Sequence, residues 1–170
     1  MTPPIGLELI TEYLTPEEEV AVMKGIPQKR KRKKHPRDKT VKRNSVHTYW
    51  NEEPATPPVL AQLRDRMIAE GLLPNPVTRI TVNEYYPEDA LGAHIDTPEQ
   101  GIVIGVLSLL SSATMVFARE GHSDHIVELP PRSVVFLRGE SRYLWSHAVL
   151  PLAALRYSVA FHGTPMQIDP

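Results

Sequence analysis

Residues 77–85 read VTRITVNEY, and the two sides of this stretch decide the fold. In an extended chain successive side chains point to opposite faces. Ile80 and Val82 therefore share one face, while Arg79, Thr81, Asn83 and Tyr85 share the other. That alternation has no helical period. Segments of the same kind recur at 102–110, 112–118, 125–129, 132–138 and 156–162, rich in Val, Ile, Tyr and Phe. Short strands separated by turn signals every 8 to 12 residues or so describe a two-sheet barrel. A doubly wound α/β reading fails, because strands do not alternate with helices and no G-x-G-x-x-G follows a strand.

Upstream of the strands, two helices announce themselves. Thr15 as N-cap, Pro16 at the first helical position and Glu18 at the third make a capping box, which predicts a helix over residues 16 to about 24. A second helix is expected to begin at Thr56 with Pro57 at its first position, to bury Leu60, Leu63 and Met67, and to stop at Gly71. The class is thus α+β: a double-stranded β-helix, or jelly-roll, core with the N-terminal helices packed on one sheet. With 170 residues and 41% hydrophobic content, one compact domain over 1–170 is expected.

Composition narrows the chemistry. There is no cysteine, so disulfides, thiolate metal sites and cysteine nucleophiles are excluded, and a metal would have to sit on His and carboxylate. No run approaches the ~18 apolar residues of a membrane span. The start, MTPPIGLELI, lacks the basic-then-apolar layout of a signal peptide, so an intracellular, cytoplasmic or nuclear, location is expected. Oligomeric state leaves no mark in the sequence.

Charge is segregated. Residues 29–43, which begin with Lys29 and end with Arg43, hold ten Lys/Arg and one acid, a local charge of +9 in a chain whose net charge is -1. The stretch from about 27 to 48 reads as a flexible basic arm or lid facing a polyanion such as RNA or DNA. A solvated loop or a localisation signal is the competing account. Tyr49 and Trp50 follow the arm, where an aromatic pair can stack on a base or simply pack.

In His94-Ile95-Asp96, residues two apart point the same way on an extended segment, so an imidazole and a carboxylate can reach one ion. His147, after Tyr143-Leu144-Trp145, is the leading third ligand, since two His and one carboxylate leave three positions open for a bidentate keto acid and dioxygen. Taken alone, H-x-D is commoner as a surface pair than as a ligand set. The polar face of 77–85 ends close to His94, and its Asn83 and Tyr85 can donate hydrogen bonds to a carboxylate. A solvated outer face would ordinarily explain such residues. In the last strand Arg156, Ser158, Ala160 and His162 oppose Tyr157, Val159 and Phe161. If the first set lines a barrel, Arg156 is a buried cation that a small diacid would satisfy, with Ser158 adding a hydroxyl. A protein Asp or Glu is the alternative partner.

Asn83-x-Tyr85, His94-x-Asp96, His147 and Arg156-x-Ser158, in that order and spacing, resemble the motifs of the AlkB family of Fe(II)- and 2-oxoglutarate-dependent dioxygenases. TVNEYYPEDALGAHID (81–96) and LPPRSVVFLRGESRYLWSHAV (129–149) are similar to the AlkB homologues that modify wobble uridines in tRNA, and GLELITEYLTPEEE (6–19) resembles the opening of such domains. The resemblance covers nearly the whole chain and is weakest over 27–55. It implies Fe(II) on His94, Asp96 and His147, 2-oxoglutarate held by Asn83 and Tyr85, and Arg156 on the distal carboxylate of that co-substrate. Ser158 and His162 join the co-substrate set. The implied reaction uses dioxygen to hydroxylate or demethylate a nucleic-acid base, with RNA or tRNA ahead of DNA. A protein or small-molecule substrate, or an inactive nucleic-acid-binding barrel, are the alternatives.

Three departures stand out. His162 occupies the place of the family's second arginine, Asp96 is followed by Thr97-Pro98 where base-repair members carry another acid, and only eight residues separate His147 from Arg156. His122 and His125, in GHSDH, read as a solvated turn. Arg142 and Tyr143 either shape the substrate mouth or belong to a structural turn after Gly139.

Overall fold

The computed structural model describes residues 2–28, 44–50 and 56–163, with the backbone alone described at 44–50. In chain order the elements are β1 (Leu7–Ile10), α1 (Pro16–Gly25), β2 (Asn44–Trp50), α2 (Pro58–Ala69), β3 (Arg79–Tyr85), β4 (Leu91–His94), a 3-10 turn (Pro98–Gln100), β5 (Ile104–Leu109), β6 (Ala113–Ala118), β7 (His125–Leu129), β8 (Val134–Leu137), α3 (Gly139–Tyr143), β9 (Ser146–Val149) and β10 (Arg156–His162). Two antiparallel sheets result, a six-stranded one in the order β1-β8-β5-β10-β3-β2 and a four-stranded one in the order β4-β9-β6-β7. This is the jelly-roll architecture expected.

The large sheet separates two apolar layers, because its strands alternate. Ile80, Val82, Leu107, Val159 and Phe161 face one way and pack against Leu14, Val22, Leu60, Leu63 and Met67, so both helices lie on this sheet. Tyr85, Val135 and Leu137 face the other way and meet Leu91, Met115, Phe117, Leu129 and Val149 of the small sheet. The polar members of that second face line a cavity instead of joining the apolar layer.

Helix α1 starts as its sequence predicts: the Thr15 hydroxyl accepts from the Glu18 amide at 3.1 Å and the Glu18 carboxylate accepts from the Thr15 amide at 2.8 Å. Glu18 also receives Arg66 of α2 at 3.1 Å, and the Arg66 guanidinium lies 4.4 Å from the centre of the Tyr13 ring, which ties the two helices together. Helix α2 begins one residue later than predicted. Pro57 is its cap and supplies no side-chain hydrogen bond, and Pro58 opens the helix.

Strands β1, β4 and β9 were not predicted. Each has four residues, about one and a half periods of alternation, so a partner strand rather than local pattern makes them strands. Residues 44–48, read as the end of the flexible arm, belong instead to β2, which pairs antiparallel with β3. The reason is that β3 carries β10 on one side only and its other edge offers unpaired backbone groups. Residues 29–43, the charged part of the arm, lie outside the described residues, as do the side chains of Tyr49 and Trp50. Among the described residues no helix is long and apolar enough to cross a membrane.

Removing the Thr15 hydroxyl with Thr15→Ala is expected to lower stability by about 1 kcal/mol, measured as a shift in urea midpoint at unchanged slope.

Candidate metal and co-substrate site

Strands β4 and β9 pair so that His94 and His147 are direct cross-strand partners. Such partners stand within side-chain contact of each other, and here the imidazole centroids are 4.4 Å apart. Asp96, two residues beyond His94, turns to the same side. Its Oδ1 lies 3.5 Å from His94 Nε2 and its Oδ2 lies 3.5 Å from His147 Nε2. Ligand atoms from all three residues fall within 4.8 Å of one another. His94 Nδ1 is 2.8 Å from the Gly92 carbonyl oxygen. As the donor there, Nδ1 leaves Nε2 unprotonated and aimed at Asp96, the tautomer a metal ligand requires. Burial alone would raise the Asp96 carboxyl. With a proton on Nε2 instead, as when no ion is bound, His94 donates to Asp96, and this hydrogen bond with the charges of His147, His94 and Arg142 outweighs the upward effect of burial and holds the carboxyl at about 2. The three residues predicted as ligands are therefore together, with an ionised carboxylate.

The co-substrate residues come as cross-strand pairs of β3 and β10. Tyr85 faces Arg156, Asn83 faces Ser158, Thr81 faces Ala160 and Arg79 faces His162. All eight line, with His94, Asp96 and His147, a cavity of about 230 Å³. That is below the roughly 300–1,000 Å³ of pockets for drug-sized ligands, and suits a short keto diacid. Arg156 is 1% exposed. Its Nη2 donates to Ser108 Oγ at 2.9 Å, its guanidinium carbon lies 5.3 Å from the centre of the Tyr85 ring, and its Nε has no hydrogen-bond partner. Among the described residues it has no carboxylate partner, which removes the alternative of a protein Asp or Glu. Burial pushes its pKa down, with the Tyr85 phenol opposing. A buried guanidinium left so is costly until an anion arrives.

Asn83 Nδ2 donates to Ser158 Oγ at 3.4 Å, and Asn83 Oδ1 is buried without a partner among the described residues. Amide orientation is interchangeable about χ2. Turned over, the oxygen accepts from the Ser158 hydroxyl and the NH2 faces the cavity, ready to donate to a carboxylate. Leu91, Ile104, Val106, Met115 and Val149 supply apolar wall between the two ends. The donor set suits Fe(II), and the unpaired guanidinium suits a diacid beside it.

Two residues outside the predicted site hold this arrangement: Ser108, which the sequence reading did not single out, and Arg142, which it placed at the substrate mouth or in a structural turn. Ser108 supports Arg156 from β5, and its only signal is a hydroxyl interrupting the apolar run 102–110 on the face shared with Ile104 and Val106. Arg142, in α3, is fully buried and donates to three backbone carbonyls of the segment after β4: Asp96 at 2.7 Å, Thr97 at 2.6 Å and Gly101 at 3.1 Å. It faces no substrate mouth; it fixes the loop that carries Asp96. The same loop closes at Gly101, whose φ is +102° and where a Cβ would sit 2.1 Å from the Gly163 oxygen, so only glycine fits.

His162 lines the cavity as predicted, but in company. Its Nδ1 is 3.0 Å from the Gln100 carbonyl oxygen and 3.3 Å from an Arg79 nitrogen. Burial first, then the Arg79 charge, press its pKa down to about 4, so it is a neutral hydrogen-bonding group at pH 7 and Arg79 is the cation at that end. His122 packs edge-on against Trp145, with ring centroids 5.3 Å apart. Among the described residues neither His122 nor His125 enters a metal-competent group.

A jelly roll presenting two imidazoles and a carboxylate on one side of a small cavity, with a buried cation beyond, defines a non-haem iron oxygenase of the keto-acid type. The chain belongs to the 2OG-Fe(II) oxygenase superfamily, whose profile matches residues 7–156. Members use Fe(II), with 2-oxoglutarate and dioxygen as co-substrates. Within it the chain is AlkB-like. It is 30% identical over 160 residues to protein L905 of Acanthamoeba polyphaga mimivirus, spanning 86% of this chain and 73% of L905. It is 36% identical over 98 residues to the mouse tRNA (carboxymethyluridine(34)-5-O)-methyltransferase ALKBH8, spanning 56% of this chain but 14% of that protein. Among solved structures OsALKBH1 superposes with a TM-score of 0.68 at 18% identity, covering 96% of this chain and 98% of that one. A Pseudomonas putida prolyl-4-hydroxylase gives 0.67 at 18% identity, covering 95% and 94%. At those identities the likeness is of fold.

Arg142→Lys keeps the charge but cannot reach three carbonyls at once, and is expected to weaken metal binding by about 10- to 100-fold, measured by anaerobic titration with Fe(II) or Mn(II). The unfolded chain protonates His162 near 6.5, the folded protein only near 4, so the unfolded state binds the extra proton between those values. Stability should therefore fall as pH drops through that window, by up to about 3 kcal/mol, and His162→Gln should remove that part of the slope in denaturation curves.

Proposed function

We propose that the chain is one oxygenase domain over residues 1–170 that hydroxylates or demethylates a base in nucleic acid, RNA ahead of DNA. The observation that carries the chemistry is Arg156, buried without a carboxylate partner among the described residues, on the same cavity as His94, Asp96 and His147. His94, Asp96 and His147 would hold Fe(II), which when bound would supply dioxygen activation coupled to decarboxylation of 2-oxoglutarate. Arg156 takes the distal carboxylate of the co-substrate as a charge-assisted pair, and Asn83 and Tyr85 donate to co-substrate oxygens while the Ser158 hydroxyl holds the Asn83 amide in place. Gly92 keeps His94 in the ligating tautomer, and Arg142 fixes the backbone of the loop that carries Asp96. The apolar wall excludes water, so each of these contacts acts at low dielectric.

Two observations support a nucleic-acid substrate: the local charge of +9 over residues 29–43, and the mouse relative named for a tRNA uridine. The chain spans only 14% of that relative, so the named activity is taken as a guide to substrate class and not to reaction. A second reading, oxidation of a protein side chain, is compatible with the fold, which a bacterial prolyl-4-hydroxylase shares.

Anaerobic Fe(II) with 2-oxoglutarate should give a visible charge-transfer absorption that His94→Ala abolishes. Arg156→Met should raise the 2-oxoglutarate KM by about 10- to 100-fold, the scale of one charged hydrogen-bonded contact. The substrate is decided by succinate release and substrate mass on a panel of modified RNA and DNA oligonucleotides and prolyl peptides: turnover on RNA supports the proposal, and turnover confined to peptides overturns it. Neutralising the basic residues of 29–43 should weaken oligonucleotide binding and flatten its salt dependence while sparing 2-oxoglutarate turnover.

A further inference from the structure

Strand β3 has a second carboxylate that the iron cavity does not use. Glu84 lies between Asn83 and Tyr85 and so points to the opposite face of the sheet, where it is 2% exposed. One of its oxygens accepts from the Tyr157 phenol. The other, Oε2, is buried and has no hydrogen-bond partner among the described residues. Glu84 lines a second cavity, about 720 Å³, between the C-terminal half of α1 and the ends of β3 and β5.

The surroundings do not neutralise this group. Burial and the Glu84 hydrogen bond push the Tyr157 phenol upward, so it remains a neutral donor. Lys24 also borders the cavity but forms no ion pair with Glu84. Glu19, the other acid of the wall, is occupied elsewhere: its Oε1 accepts from the Leu110 amide at 2.7 Å and its Oε2 lies 3.7 Å from Arg132. Among the described residues Glu84 Oε2 is thus the buried acceptor on this wall that lacks a partner, and a carboxylate oxygen so buried requires a donor.

The shape of the cavity says which donor. Val20, Met23, Ile26, Leu110 and Leu155 give the cavity an apolar wall, to which Tyr86 adds an aromatic ring and Gln28 an amide. A calcium-sized ion would need several carboxylate or carbonyl oxygens gathered on one point, and among the described residues no metal-competent group lies on this wall. A cation with a hydrocarbon stem fits both needs, because its head hydrogen-bonds the carboxylate while its stem covers apolar surface. We infer that this cavity is a binding site for a small aliphatic ammonium ion, held by Glu84 on the far side of the strand that carries Asn83 and Tyr85. The inference is independent of the substrate of the iron site.

The test is calorimetric titration of the full chain, without metal, with n-butylammonium chloride and, as an uncharged isostere, n-butanol. Saturable binding of the amine and none of the alcohol is expected. Glu84→Gln should weaken the amine by about tenfold or more, the scale of one charge-assisted hydrogen bond. Val20→Trp offers a second variant that leaves the buried carboxylate intact: Val20 is 51% exposed on α1 and borders the cavity, so the indole should block entry and abolish binding. No saturable binding, or equal binding by the unmodified chain and both variants, would overturn the inference.

Discussion

The pairing of β3 with β10 is the constraint on which the rest depends. Its register sets Tyr85 against Arg156 and Asn83 against Ser158. Because side chains alternate strictly along a strand, the same register sends Ile80, Val82, Val159 and Phe161 to the helices. A slip of one residue would reverse both assignments, placing Arg156 and Asn83 among the apolar contacts of α1 and α2 and the aliphatic residues in the cavity. Fold and co-substrate chemistry are therefore one constraint. The helices are needed for it too, since an uncovered apolar face would not hold the large sheet to this register.

Charge inside the cavity is arranged in order of burial. Arg156 sits deepest, and its guanidinium is met by a serine and a phenol but by no acid among the described residues. The metal end is different: Asp96 is already surrounded by the two imidazoles and Arg142, which keep it ionised despite its burial. One end is thus an anion awaiting a cation and the other a cation awaiting an anion. The distance between them is set by backbone pairing, so the two needs do not cancel by collapse of the side chains onto one another. The neutral His162 beside Arg79 leaves positive charge at the metal end as well, on a different strand from the family's arginine.

The loop between β4 and β5 shows how few contacts a ligand needs if they are well placed. Asp96 belongs to no strand, yet Arg142 takes three carbonyls from the loop and Gly101 admits the close approach to Gly163. Asp96 and Gly101 follow β4 and Arg142 lies in α3, two of the short elements of which β9 is the third. None of these elements has enough residues to be recognised alone, and each exists because the others pair or pack with it.

What could be read from the sequence followed from local rules: the capping box of α1, the alternation of β3 and β10, and the identity of the polar residues on their inner faces. Those rules depend on spacing of two or of three to four residues, and such spacing is visible in one chain. The triad was readable as a set of candidates because H-x-D puts two ligands on one side, but nothing local joined His147 to it. The β4–β9 register did that, by making two histidines separated by 53 positions into neighbours across one sheet. Likewise the roles of Ser108 and Arg142, and the unsatisfied oxygen of Glu84, belong to tertiary structure alone. Each is defined by which backbone or side chain is absent or present within a few ångströms, and burial with its desolvation cost has no counterpart in the order of residues along the chain.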